Sequence, residues 1–174
     1  EGIQGIISKE KAEKIARDIL EIDSEYKLEY IYIGNDWRDA DKYIWQVSFS
    51  KQTDNDYYYA SATIDAKTED IMNFYISVPT ISGSQIKFDR EESLDIAKDF
   101  IKKMEPEKSN LVELTENIVE NRLYVGQTNN YFTFIRKVDN AYVQDEGIYV
   151  LVDATSGKIT DYRVEWYDRE FPTQ

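Results

Sequence analysis

The chain has 174 residues, enough for one substantial core or two small ones that lean on each other. Its 41% hydrophobic and 14% aromatic content is that of a folded globular protein. Its 34 acids against 21 bases give a net charge of −13, so the surface repels phosphate backbones and argues against nucleic acid as a partner. Cysteine and histidine are both absent, which excludes disulfides, thiolate nucleophiles, serine triads and histidine-based metal sites. No apolar run approaches the roughly 20 residues that span a bilayer, so no direct membrane insertion by this segment is expected.

Ser8 opens a helix whose apolar stripe is Ala12, Ile15, Ala16, Ile19 and Leu20, at the three-four spacing of a helix with one buried face. Residues 26–33, rich in Tyr and Ile, read as a strand closed by Gly34-Asn35-Asp36, with a polar loop through Asp41. Residues 43–50 alternate Tyr43, Trp45, Val47 and Phe49 with polar neighbours, the period of a strand with one buried face. Residues 51–56 are a turn; 57–65 and 71–78 form a hairpin; 79–85 read as a linker.

Helix and strands then begin again. Asp89 and Glu92 make a capping box, and the stripe Ser93, Ile96, Ala97, Phe100 and Ile101 repeats the first at a constant offset of 81 (Ala12 to Ser93, Ile15 to Ile96). This helix ends before Pro106. Residues 111–125 hold one or two strands, 131–138 another, Asp139-Asn140 a turn, and Gly147 leads into a final hairpin over 149–166. There Asp65 matches Asp153 and Ile71 matches Ile159, at an offset of 88. A separate constant offset on helix and hairpin points to an internal duplication, with repeats at 1–80 and 81–174. Each would place one helix on an antiparallel sheet, an α+β class. One local rule is broken: Glu69 stands where Gly157 stands, and a left-handed Glu costs roughly 1 kcal/mol, so the first turn is expected to differ from the second.

Ile-Ser-Lys-Glu-Lys-Ala-Glu-Lys-Ile-Ala from Ile7, followed by the Asp-Ala turn, resembles PepSY-like domains. The pattern F-x-R-x-V-x-N from Phe134, then the run from Gly147 to Trp166, is similar to the YcdB/YcdC repeat family. Arg136, Val138, Asn140, Gly147, Asp153, Gly157, Tyr162 and Trp166 carry the resemblance, as structural motif residues; Ala141 replaces the Gly the family usually has after the Asn, so that turn is expected to be built differently. The resemblance implies two tandem PepSY-like, cystatin-like repeats, each a curved antiparallel sheet around a helix. It also implies secreted or cell-envelope proteins of Gram-positive bacteria. PepSY domains occur in propeptides of secreted metallopeptidases, where an inhibitory or chaperone role has been proposed. The family defines no catalytic residues and implies no cofactor, so the chain is read as non-catalytic. It starts without Met and stops after Phe171-Pro172 without an obvious terminus, so a longer protein is expected around it.

The candidate chemistry is sparse. Asp54-Asn55-Asp56 fails as a calcium loop, because Tyr58, Tyr59 and Asp65 occupy positions five, six and twelve. Asp36, Asp39 and Asp41 could gather on a cation, but a solvated loop is the plainer reading. Nothing selects a carboxylate pair for glycoside hydrolysis. Trp45 and Trp166 fall on apolar faces, whereas Trp37 lies in a polar loop and is the candidate binding residue. Arg136, on an apolar strand face, needs a carboxylate partner, and Asp153 is the expected one. Two readings compete: a module binding a protein or peptide, a secreted peptidase among the candidates, through strand addition at an open sheet edge, and a wall-glycan-binding protein. A structural spacer is the third.

Overall fold

The computed structural model describes residues 4–79, 83, 85–115, 128–167 and 169–171. The fold is α+β, with two α-helices and eight strands among the described residues. The chain divides into two compact units, Glu1–Pro79 and Thr80–Gln174. Most of the expected 79–85 linker and the stretch 116–127, where a second strand was expected, lie outside the described residues, as does Pro172.

In the first unit, α1 (Lys9–Leu20) starts on Ser8, whose hydroxyl accepts from the Lys11 N–H at 3.1 Å. It is followed by β1 (Lys27–Asp36), β2 (Asp39–Gln52), β3 (Tyr57–Asp65) and β4 (Ile71–Ile76), each antiparallel to the next. Ala12, Ala16 and Leu20 of α1 are buried, and so are Ala60, Ala62 and Ile64 of β3. Small residues on both surfaces let helix and sheet approach closely. The bulk comes from the flanking strands: register places Phe49 and Ile76 beside Ala60, and Val47 and Phe74 beside Ala62. This large-small-large alternation sets bulk beside the small residues that face the helix.

The expected polar loop through Asp41 is instead a two-residue hairpin turn, Trp37-Arg38, with β1 running to Asp36 and β2 starting at Asp39. The buried Asp36 carboxylate accepts from the Arg38 N–H at 3.0 Å and faces its guanidinium at 3.4 Å. A side-chain bond two residues forward is the Asx device that tightens a turn; acidic composition had disguised it.

In the second unit, α2 (Arg90–Met104) starts on the expected capping box, with Asp89 accepting from the Glu92 N–H and Glu92 from the Asp89 N–H. A short 3-10 turn at Lys108–Asn110 leads to β5 (Val112–Thr115), β6 (Asn129–Val138), β7 (Ala141–Asp153) and β8 (Ile159–Glu165), again antiparallel in chain order. Ser93, at the place of Ala12, is fully buried and accepts a hydrogen bond from Asn130 at 3.0 Å. Tyr162 is fully buried edge-on to Phe100, centroids 5.2 Å apart. Asp139 and Asn140 both have positive φ, 48° and 66°, the geometry of a primed two-residue hairpin turn. Ala141 is already the first residue of β7, paired with Val138, so the absent Gly is not missed.

The two hairpin turns after β3 and β7 have the same construction. Glu69 N–H reaches Asp65 O and Gly157 N–H reaches Asp153 O; both pairs of strands carry a bulge at the same place, Thr63/Ile64 and Leu151/Val152. Contrary to expectation, the first turn does not differ: φ is 70° at Glu69 and 73° at Gly157. Glu69 tolerates the left-handed conformation because the Asp65 side chain fixes the turn, accepting from the Lys67 and Thr68 N–H groups at 2.8 and 2.9 Å, and because Glu69 pairs with Lys11. Exchanging the residues at these positions should therefore be asymmetric. Glu69→Gly relieves about 1 kcal/mol of strain against a similar loss of ion pairing and chain entropy, so its midpoint in urea should not fall. Gly157→Ala combines the strain with a Cβ 2.9 Å from the Phe88 ring and should cost about 2 kcal/mol.

Burial raises the Asp65 carboxyl, but the Thr68 and Lys67 N–H groups and Lys42 outweigh it and hold the group below its ordinary range. A depressed carboxyl contributes stability above its unfolded-state pKa and loses it as pH falls through the folded one. Asp65→Asn should accordingly cost about 1–2 kcal/mol at pH 7, and the gap to the parent chain should begin to narrow only as pH falls below about 4, read by denaturation across that range.

Candidate functional site

The aromatic residues of the first unit singled out by sequence do not gather in one patch. Trp37 is 81% exposed at the β1–β2 turn, with the Arg38 guanidinium 5.3 Å from its ring. Tyr57 lies at the other end of β2, across from Gln52, roughly 40 Å away at the rise of an extended strand. Trp45 is half-buried, its indole donating to the Ile7 carbonyl at 3.1 Å, and Trp166 is half-buried just beyond β8. Asp36 serves its own turn, Asp39 accepts from the Asp41 N–H, and no group of three or more Asp or Glu among the described residues could hold a metal ion.

The motif residues of the second unit build a clasp. Here the expected Arg136–Asp153 pair is not made. Asp153 is spent on its own turn, accepting from the Thr155 N–H and hydroxyl and from Ser156. Arg136 instead meets Glu146 at 2.6 Å, and Glu146 is fully buried. Glu146 is in phase with Ile148, Val150 and Val152 on the buried face of β7; sequence reasoning missed it because the expected final hairpin starts only at Tyr149. Between the pairs Ile135–Gly147 and Lys137–Tyr142, β7 carries extra residues, and Asp145 takes φ 63°. That irregularity falls on the far side of Glu146, which keeps the inward phase of Ile148 and Val150. Its other oxygen accepts from Arg169 at 3.1 Å and from the Tyr167 N–H at 3.3 Å, while the Arg136 guanidinium lies between Trp166 and Phe171, 4.8 and 4.9 Å from their rings. The carboxylate thus ties the segment after β8 to β7. Among the described residues Asp36, Asp65, Glu146 and Asp153 are the buried carboxylates, and each holds a turn or an Arg in place.

The first unit presents a different surface. On the sheet face opposite α1, Tyr30 and Tyr32 stack at 5.3 Å, Tyr30 and Tyr59 hydroxyls are 3.3 Å apart, and Tyr75 lies 6.3 Å from Tyr59. Buried Ser48 lies beneath. The hydrogen bond to Tyr59 raises the Tyr30 phenol above its ordinary range; Tyr59, pushed up by burial, is brought below it by bonds from Ser48, Tyr30 and Ser61. Tyr57 donates to Glu29 at 2.8 Å and is raised by that bond. Signal for this surface was available in the alternation Tyr30-Ile31-Tyr32-Ile33.

Tyr30 and Tyr32 belong to β1, whose one ladder partner among the described residues is β2. Along its ten residues only Asp36 is buried, and Tyr30, Tyr32 and Ile33 are 42%, 52% and 40% exposed. In an antiparallel strand alternate residues direct their N–H and C=O groups to opposite sides, so the outer groups of β1 have no ladder partner among the described residues. Such an edge usually carries Pro or inward-pointing charge. Between Tyr30 and Asn35 β1 has neither, and its register with β2 is unbroken there. The described residues hold no helix long and apolar enough to cross a membrane.

The model of the family described as the YcdB, YcdC repeated domain matches residues 9–166, a span that covers parts of both units. Among solved structures, the chain is similar to the Bacillus megaterium YpeB C-terminal domain, at 14% identity and a TM-score of 0.64, over 97% of this chain and 70% of that one. At this identity the likeness is one of fold. Comparison with curated proteins gave no match.

Proposed function

This chain belongs to the YcdB, YcdC repeated-domain family, and we propose that it is a non-catalytic binding module that takes up an extended segment of a protein by strand addition along β1. The observation that carries the reading is the exposed, β-rich and unpaired edge between Tyr30 and Asn35. Main-chain bonds to an open edge supply affinity, and side chains on the two faces supply selection. The two units are read as PepSY-like repeats of cystatin-like form, a reading supported by the shared turn, bulge and left-handed residue at the offset of 88. By the same resemblance we place the module outside the cell or in the envelope, with a secreted peptidase as the partner class it would modulate. A wall-glycan reading draws on Trp37 and the tyrosine row; retention on insoluble cell wall that is lost in Trp37→Ala would favour it.

Proline at two neighbouring positions tests the edge. One of Tyr32 and Ile33 directs its N–H to β2 and the other directs it outward, so only one of Tyr32→Pro and Ile33→Pro should keep the parent melting curve. Peptides selected on the immobilised chain from a random library should lose at least about tenfold in affinity on that fold-preserving variant, the equivalent of one or two edge hydrogen bonds. Unchanged affinity would sink strand addition at β1.

A further inference from the structure

We infer that the segment added to β1 is cationic: an extended stretch with β-branched or aromatic residues at alternate positions and Lys or Arg at both ends. This rests on the strand-addition reading. The strand itself is nearly uncharged at its surface, since Asp36 is buried and Lys27 and Glu29 have opposite signs. Acids gather at its two ends. Glu21, Asp23 and Glu25 precede it and Asp39 and Asp41 follow it, all exposed. Lys51 answers part of the first group, pairing with Asp23 and Glu25; beside the second, Arg38 pairs with Asp36 and Lys42 with Asp65. The whole chain carries −13.

An added strand lies beside β1 with its side chains opposite those of β1. One row faces Tyr30 and Tyr32, whose rings accept β-branched or aromatic groups and, at its margin, a cation over a ring face. The other row faces Ile31 and Ile33. Beyond these the added chain runs past the acids, where positive charge is favoured and negative charge is repelled. A second copy of this chain would also match tyrosine with tyrosine across the edge, but it brings another −13 to the contact. A basic segment fits both the faces and the field.

The test uses three blocked, fluorescent ten-residue peptides with the same alternating valine, threonine and tyrosine centre, ending in two Lys, two Ser or two Glu at each end. Binding to the full chain is read by anisotropy at 50 and 500 mM NaCl, beside sedimentation of the chain alone. The Lys peptide should bind about tenfold more tightly than the Ser peptide, and the Glu peptide most weakly. Salt should erase most of that difference. Asp39→Asn with Asp41→Asn, both exposed, should weaken the Lys peptide several-fold and leave the Ser peptide unchanged. Equal binding of Lys and Ser peptides would overturn the charge inference and leave strand addition standing. Peptides that bind the fold-preserving proline variant as well as the parent would overturn strand addition itself. A dimer of the chain alone, lost in the proline variant, would replace the cationic segment with a second copy.

Discussion

Replacing Glu146 by alanine should lower the stability of the second unit by about 3–5 kcal/mol, the cost of leaving a buried guanidinium without its carboxylate. Arg136 is only 14% exposed and lies against the Trp166 and Phe171 rings, so water replaces little of what the carboxylate supplied. Arg169 and the Tyr167 N–H lose their acceptor at the same time. The segment after β8 should therefore loosen together with β7. Urea denaturation followed by Trp166 fluorescence, with Trp37 and Trp45 replaced by Phe, reads this unit alone. The double change Glu146→Leu with Arg136→Met separates pairing from packing: apolar replacements of similar volume avoid the desolvation of both charges and should recover most of the loss. If Glu146→Ala costs under about 1 kcal/mol, the clasp does not hold the unit together.

Gly147→Val should cost about 3 kcal/mol, and Gly147→Ala about 2, for a reason unrelated to backbone freedom. A Cβ placed there lies 2.5 Å from the Phe134 carbonyl oxygen and 3.1 Å from the Ile135 side chain. That carbonyl belongs to β6, paired with β7 at Phe134–Ile148 and Ile135–Gly147, so it cannot retreat without opening the ladder. Gly34 is the control. A Cβ there meets nothing within 4 Å, and Gly34→Ala should stay within about 0.5 kcal/mol of the parent. Thermal denaturation of the three variants ranks them directly.

These positions show where sequence and structure part. Stripes such as Ala12, Ala16 and Leu20 and alternations such as Tyr162 and Val164 are legible because burial on one face imposes a period, and the capping box because its partners stand three residues apart. Trp37 was readable as exposed because Asn35, Asp36, Arg38 and Asp39 surround it. The Arg136 partner was not readable. Asp153 appears free until its turn bonds are drawn, and Glu146 lies before the stretch from Tyr149 whose alternation reads as a strand. Nor could Glu69 be read as left-handed, since the Asp65 bonds that fix the turn outweigh the local preference of Glu. The open edge was half legible: Tyr-Ile alternation marked a strand, but its place at an edge depends on pairing that no local pattern encodes.

Residue-resolved amide exchange of the free chain, and of the chain with the Lys-ended peptide, tests the open edge most directly. In the free chain, every second amide over residues 30–35 should exchange rapidly while its neighbours, bonded to β2, are protected. Peptide should slow the rapid set and leave the protected set unchanged. Uniform protection in the free chain would mean that the edge is already covered, and slowing confined to residues away from β1 would place binding elsewhere; either result contradicts strand addition at β1.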